Sequence, residues 1–356
     1  MRLLSLALVA LAGSLTACAT TSTPPPSEIP PALVAASTEP AAIEATGLTL
    51  EGTLHLPDHA EGSSVPGVVL VHGSGPNSRD QTVTGQLNMG FGFELALFVE
   101  LAEALQAEGY AVLRYDKRTC GPFNGLCEND YPSPSGALSV NDFVDDAQVA
   151  SRWLGAQPSV DASRVFVVGH SQGAAFMPAI LSGEESLAGG VSLAGNWRPI
   201  DAILGYQLDF SIALMEAAGA PLSAIEAQLG SLASWVADLQ AVREGTFTGD
   251  SIGNLPVGFW QEWMDLGDAR ADTVAAESRP MMALFGGYDW NIPLDPEAGL
   301  WAATGVTTVE LECVTHALNC VSNPDWESLG ADDIGRNLAP EVTSALVDWL
   351  DARAAE

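Results

Sequence analysis

The sequence predicts an α/β fold, a mostly parallel sheet with helices on both faces. Three observations carry this expectation. Short, wholly apolar runs recur along the chain with the length of buried strands. Stretches with apolar residues at helical spacing lie between several of them. One long interval lacks strand-like runs and is helical in character, as an insertion is.

In chain order, Leu48–Leu50 and Thr53–Leu56 alternate as a β-hairpin does. Buried strands are expected at Gly67–Val71, Ala111–Tyr115, Val165–Val168, Gly190–Leu193, Met281–Phe285 and Thr308–Leu311. Helices are expected at Glu94–Glu108, closed by Gly109 as its C-cap, at Asp142–Leu154 and at Glu341–Ala355. In the long interval, Gln207–Ala218 and Leu222–Arg243 read as helices. Residues Asn196–Arg279 are therefore expected to form a helical cap over a pocket. Trp235, Phe259, Trp260 and Trp263 are available either to line that pocket or to pack the cap's own core.

With 356 residues and 47% hydrophobic content, the chain can bury the core of one large catalytic domain. It carries 45 acidic and 13 basic residues, a net charge of −32, and Lys117 is its only lysine. Such a surface repels phosphates, so no nucleic-acid partner is expected.

The N-terminus speaks to compartment. Met1-Arg2 precedes an apolar run, Leu3–Leu15, too short to span a bilayer and suited to a signal-peptide core over residues 1–17. The run ends in Leu15-Thr16-Ala17-Cys18, which resembles the lipobox of bacterial lipoproteins. That resemblance implies a diacylated Cys18 as the new N-terminus and a membrane contact through the lipid. Ala19 after the cysteine points to the outer membrane. The alternative is ordinary cleavage at Ala17-Cys18-Ala19, which gives a soluble periplasmic or secreted protein. Residues 18–42 are rich in Pro, Thr, Ser and Ala and read as an extended tether, with the catalytic domain following from 43 to 356.

Gly169-His170-Ser171-Gln172-Gly173 sits between an expected strand and the helix-like Ala174–Leu181. This is a G-x-S-x-G elbow in strand–turn–helix context, and it makes Ser171 the candidate nucleophile. The turn is so tight that its flanking positions must be small, and the helix N-terminus favours developing negative charge. His72-Gly73-Ser74-Gly75-Pro76 follows the strand at Gly67–Val71. The loop after that strand is expected to supply one oxyanion N–H, assigned to Ser74, with Gln172 supplying the second. A second nucleophile or a mere turn residue is the alternative for Ser74. Asp289, after the strand Met281–Phe285, is the candidate acid, with Asp295 as competitor. Of five histidines only His316 lies beyond Asp289, which makes it the candidate base. His55 and His59 are expected to be structural, and His72 and His170 to shape their loops.

These residues support a family resemblance. The chain resembles the α/β-hydrolase esterases of bacteria over about Gly47 to Glu356. It carries Gly47-Leu48-Thr49-Leu50-Glu51-Gly52-Thr53-Leu54, then His72–Pro76 with Arg79-Asp80, then Arg114-Tyr115-Asp116-Lys117-Arg118. The resemblance implies hydrolysis of short-chain carboxylic esters without a metal. Related sequences are labelled dienelactone hydrolases, acyl thioesterases or serine peptidases, so the substrate stays open. Gln172 is a departure from the pattern, since relatives often carry Leu after the nucleophile. The cysteines are another.

Setting Cys18 aside leaves Cys120, Cys127, Cys313 and Cys320, an even number that allows three pairings. Local bridges, Cys120 with Cys127 and Cys313 with Cys320, are favoured because each pair lies within one loop region. Crossed pairing and free thiols are the alternatives. A Cys313–Cys320 bridge would encircle His316.

The expected activity is a serine esterase acting on a small-molecule ester. A peptidase or acyl-transfer enzyme on the same residues is the second reading, and the acidic surface suits a cationic peptide. A non-catalytic binding lipoprotein is the third. The chain has no P-loop, dinucleotide fingerprint, H-E-x-x-H or C-x-x-C, so neither a cofactor nor a metal is implied. Its oligomeric state is not legible.

Overall fold

The computed structural model describes residues 32–83, 94–121, 127, 138–323, 325 and 329–355. The expected signal peptide, Cys18 and the first part of the tether lie outside these residues.

The centre is an eight-stranded sheet. In chain order its strands are β1 (Ser37–Ala45), β2 (Leu48–Leu56), β3 (Val65–Val71), β4 (Ala111–Tyr115), β5 (Val160–His170), β6 (Leu187–Leu193), β7 (Met281–Tyr288) and β8 (Thr307–Thr315). Across the sheet they run β8-β7-β6-β5-β3-β4-β2-β1. Neighbours from β8 to β4 pair in parallel, whereas β2 runs antiparallel to both β4 and β1. Each apolar run of the sequence lies inside one of the parallel strands, extended at its ends by less apolar residues that the ladder also recruits.

Residues of one strand alternate between two cores. On one side Val68, Leu70, Phe166 and Val168 pack against helix α1 (Leu97–Ala107) and the C-terminal helix. On the other, Val69, Val71, Val165 and Val167 meet helices α2 (Val140–Gly155) and α3 (Gln172–Gly183). This two-sided burial is why the strands read as continuous apolar runs.

Two expectations need correction. Leu48–Leu56 is one strand and not a hairpin by itself; its hairpin partner is Ser37–Ala45, paired from Ser37↔Leu56 to Ala45↔Leu48. The tether accordingly ends earlier than residue 42, because Leu33–Val34 already pairs with His59–Ala60 and Ser37 opens β1. The physical reason is position. As the edge strand, β1 exposes much of its length and accommodates Pro40, so its composition reads as polar linker.

Between β6 and β7 lie helices α4 (Ile200–Ala217), α5 (Leu222–Arg243), α6 (Val257–Asp268) and α7 (Arg270–Ala276). After β7 come α8 (Leu294–Ala302) and, at the C-terminus, α9 (Pro340–Ala354). The inserted helices are fastened at their root. Glu297 of α8, fully buried, accepts hydrogen bonds from the backbone N–H groups of Trp197 and Arg198 and pairs with the Arg198 guanidinium. The buried Arg270 of α7 donates to the carbonyl of Asn196.

Candidate active site

The turn from β5 into α3 carries Ser171 at φ 54°, ψ −112°, a left-handed conformation that costs energy for a residue with a Cβ. Its neighbours explain why both flanks are glycine. A Cβ on Gly169 would run into the carbonyl of Gly173, and one on Gly173 into the carbonyl of Val71. The strained turn lifts the Ser171 side chain off the sheet. Its Oγ lies 2.9 Å from Nε2 of His316.

Nδ1 of His316 lies 2.8 Å from Oδ2 of Asp289. The other carboxylate oxygen, Oδ1, accepts the backbone N–H groups of Asn291 and Ile292 at 2.9 and 2.8 Å, which fixes the group at the end of β7. Asp295, the competitor, lies in α8, and the ring goes to Asp289 instead. Residues 171, 316 and 289 thus form one hydrogen-bonded chain from three different strand ends.

His316 stands on a narrow loop. Thr315 N–H donates to Asn319 O, Val321 N–H donates to Cys313 O, and a Cys313–Cys320 disulfide closes the base with a Cα–Cα distance of 4.9 Å. Cys120 is likewise bonded to Cys127. The local pairing expected from loop proximity is the one found. Among the described residues, Cys313, Cys320 and Glu341 make the only cluster of metal-ligand type, and its two sulfurs are bonded to each other.

The floor around this chain is neutral where it touches the histidine. Gln81 accepts the Gly73 N–H through Oε1, so its amide nitrogen faces Nδ1 of His170 at 2.6 Å and donates to it. The His170 Nε2–H therefore donates to the carbonyl of His316, at 2.7 Å. Burial, with the nearby His316, pushes His170 down to about 3 and keeps it neutral. His72 is pushed down to about 3 as well, by burial and by Lys117, and packs against Phe98 and Tyr115. His55 accepts from Nε of Arg114, and His59 contacts the carbonyl of Pro57, so both are structural.

The two charged motifs of the sequence pair with each other. Asp116 accepts from the backbone N–H, Nε and Nη2 of Arg79, at 2.7, 3.0 and 2.7 Å. Arg114 pairs with Asp80. The loop after β3 is thereby clamped to the end of β4. Ser74 lies on that loop, which passes so near the elbow that a Cβ on Gly73 would sit 3.2 Å from the Cβ of Ser171. The N–H of Gln172 opens α3 and has no acceptor within its own helix.

Lys117 carried no role in the sequence reading beyond its place in a motif. It is 5% exposed, and its Nζ donates to Gly73 O at 2.7 Å and to Gln172 Oε1 at 2.6 Å. Burial lowers it to about 7. The signal available was its being the sole lysine of a strongly acidic chain.

Ser171 and His316 open into a cavity of about 920 Å³. Ser74, Gln172 and Lys117 share its floor, and Trp235, Trp260 and Leu255 of the inserted segment its roof. Both expectations for the cap aromatics hold together. Trp260 and Trp263 stack at 5.8 Å with Phe259 edge-on to each, and the cluster also borders the cavity. No described residue lining the cavity is a carboxylate.

Comparison with known proteins agrees with this architecture. Esterase EstD of Thermotoga maritima is 33% identical over 174 residues, covering 48% of this chain and 37% of that protein. The match thus spans little more than a third of the relative's own length. Among solved structures, Est1E from Butyrivibrio proteoclasticus superposes with a TM-score of 0.50 at 13% identity, over 89% of this chain and 99% of its own. The alpha/beta hydrolase GrgF from Penicillium sp. sh18 gives 0.52 at 13% identity, over 90% and 100%. These two likenesses speak for the fold alone. A sequence profile described as alpha/beta hydrolase family matches residues 68–327, most of the chain. The protein belongs to the alpha/beta hydrolase family.

Proposed function

We propose that the protein is a serine hydrolase that cleaves carboxylic esters through an acyl-enzyme. The observation that carries this reading is the hydrogen-bonded chain Ser171–His316–Asp289 opening into the capped cavity. Ser171 Oγ attacks the ester carbonyl carbon while His316 Nε2 takes its proton. The backbone N–H groups of Ser74 and Gln172 receive the oxyanion. His316 returns the proton to the leaving alcohol, and Asp289 balances the imidazolium. Water activated by His316 then releases the acid. A short acyl group is favoured by the resemblance to short-chain esterases.

A cationic peptide, suggested by the acidic surface, finds no carboxylate among the described lining residues, which favours the ester over that substrate. The test is hydrolysis of p-nitrophenyl esters of increasing acyl length beside Ser171→Ala, with matched amides and thioesters. Short acyl chains should turn over fastest and Ser171→Ala should be inert. Rates that climb steadily towards long acyl chains overturn the small-acyl reading, and failure to react with a fluorophosphonate supports a binding protein instead.

The N-terminal pattern supports a bacterial envelope lipoprotein attached through Cys18, with the outer membrane favoured by Ala19. Among the described residues no helix is long and apolar enough to cross a membrane. Cys18→Ser should move the protein to the soluble fraction; a wild type that is already soluble and begins after Ala19 removes the anchor from this reading.

A further inference from the structure

We propose that Lys117 is a positioning residue for the oxyanion site, tying the two segments that carry its N–H donors to one buried ammonium. The proposal rests on the reading of Ser171 as nucleophile.

The geometry is specific. One acceptor of the ammonium is the carbonyl of Gly73, whose peptide unit also contains the N–H of Ser74. The other is the side chain of Gln172, whose backbone N–H is the second donor. A peptide unit is planar, so fixing the Gly73 carbonyl fixes the direction of the Ser74 N–H. The two donors come from different strand ends, and only their relative placement makes them converge. Lys117 bridges them. This gives a physical reason for Gln172, the residue that departs from the family pattern: its Oε1 accepts from Lys117, which leucine could not do.

The surroundings leave the charge unneutralised. Asp116, the adjacent residue, is held by Arg79, and Asp146 of α2 is held by Arg118. His72 just after β3, Tyr115 of β4, Phe143 and Asp146 of α2 and Gln172 of α3 enclose the side chain, with the Phe143 ring centroid 4.8 Å from Nζ. No carboxylate pairs with Nζ among the described residues. A buried ammonium satisfied by two neutral oxygens is costly in the resting protein. That cost falls when negative charge develops nearby, as it does when Ser171 Oγ bonds to a carbonyl carbon and the carbonyl oxygen takes up the electron pair. Lys117 therefore serves the reaction in two ways, by geometry and by field.

The sole lysine makes the test direct. Protein labelled with ¹³Cε-lysine gives one lysine side-chain resonance, and its pH midpoint is followed with and without a trifluoromethyl ketone. That ketone forms a hemiketal oxyanion on Ser171, with the serine proton passing to His316. The midpoint should move upward in the adduct. In parallel, kcat of Lys117→Met is measured per active site, titrated with a fluorophosphonate. It should fall about 10- to 100-fold with KM for a short ester within about threefold of wild type. Gln172→Leu should fall less, and the two changes should not add. A purely structural role lowers the melting temperature and the titrated fraction but leaves turnover per site and the midpoint shift alone. Turnover per site within about twofold of wild type, or an unmoved midpoint in the formed adduct, overturns the proposal. Should Lys117→Met fail to fold, the resonance decides by itself. A Ser171→Ala variant that still hydrolyses esters brings down both readings, and is distinct from a failure at Lys117 alone.

Discussion

On the floor side of the cavity, the Arg79–Asp116 pair ties the loop after β3 to the end of β4 and the Arg118–Asp146 pair ties the segment after β4 to α2, both with bidentate geometry, while three strand ends deliver Ser171, Asp289 and His316 to within hydrogen-bond reach. Above it, α4 and α5 are 18 and 22 residues long, yet each fully buries only two side chains: Ile200 and Ile203, and Ile225 and Leu239. Leu222 is 69% exposed and Leu214 46%. The floor is tightly held: the Asp289 carboxylate makes three hydrogen bonds and the Lys117 ammonium two. The roof is fastened at its root by Glu297 and Arg270 and is sparsely held further out. Side-chain bonding is thus concentrated around Ser171, His316 and Asp289, and the helices above them are held chiefly by apolar contact.

The sharpest way to break this contrast is at His316, the proposed base. His316→Ala should lower kcat by about 10⁴-fold with little change in melting temperature. A comparable loss from any single change in α5 would show that the roof carries chemistry too.

A second test addresses the charged floor. Asp116→Ala leaves Arg79 without its bidentate partner and should cost about 3 kcal/mol in denaturant unfolding. A cost near zero would show that the clamp between the loop and β4 is ornamental.

The third uses acid. Burial holds His72 and His170 near 3, against an ordinary 6.5. Below about 6.5 the unfolded chain binds protons that the folded chain does not accept until about 3. Stability is therefore present above that window and is lost through it, by up to ~1.4 kcal/mol per pH unit for each imidazole. Unfolding free energies at pH 7 and pH 5 read the slope, and a flat result would mean that the floor histidines protonate in place.

The smallest effect belongs to the roof. Leu222→Ala should change stability by no more than about 0.5 kcal/mol. A larger loss would show that the α4–α5 hairpin is held by more than its few buried residues.

Much of the floor was legible in the sequence because its signals are local. An apolar strand followed by Gly-x-Ser-x-Gly can be read within a dozen residues, and His316 stood out as the candidate base because only one histidine follows Asp289. The antiparallel edge was misread for a complementary reason. Ser37–Ala45 takes its place from pairing with β2, and its own composition, with Pro40 and exposed side chains, resembles a linker. The role of Lys117 was invisible because both its acceptors are distant in sequence, a glycine carbonyl and a glutamine side chain that no motif scan weighs together. Likewise Arg79-Asp80 and Arg114-Tyr115-Asp116 were visible as text, but their crosswise pairing exists only once β3 and β4 lie side by side.

The two disulfides have a practical consequence for anyone producing this protein. Both bridges close short loops, and one of them bounds the segment that carries His316. Material made in a reducing cytoplasm will contain Ser171, His316 and Asp289 and yet lack that closure. Such a batch should pass a mass check to within a few hydrogens, react more slowly with active-site probes, and show lower specific activity than material matured under oxidising conditions. Quantifying free thiols before comparing preparations would keep a difference in oxidation from being mistaken for a difference in substrate preference.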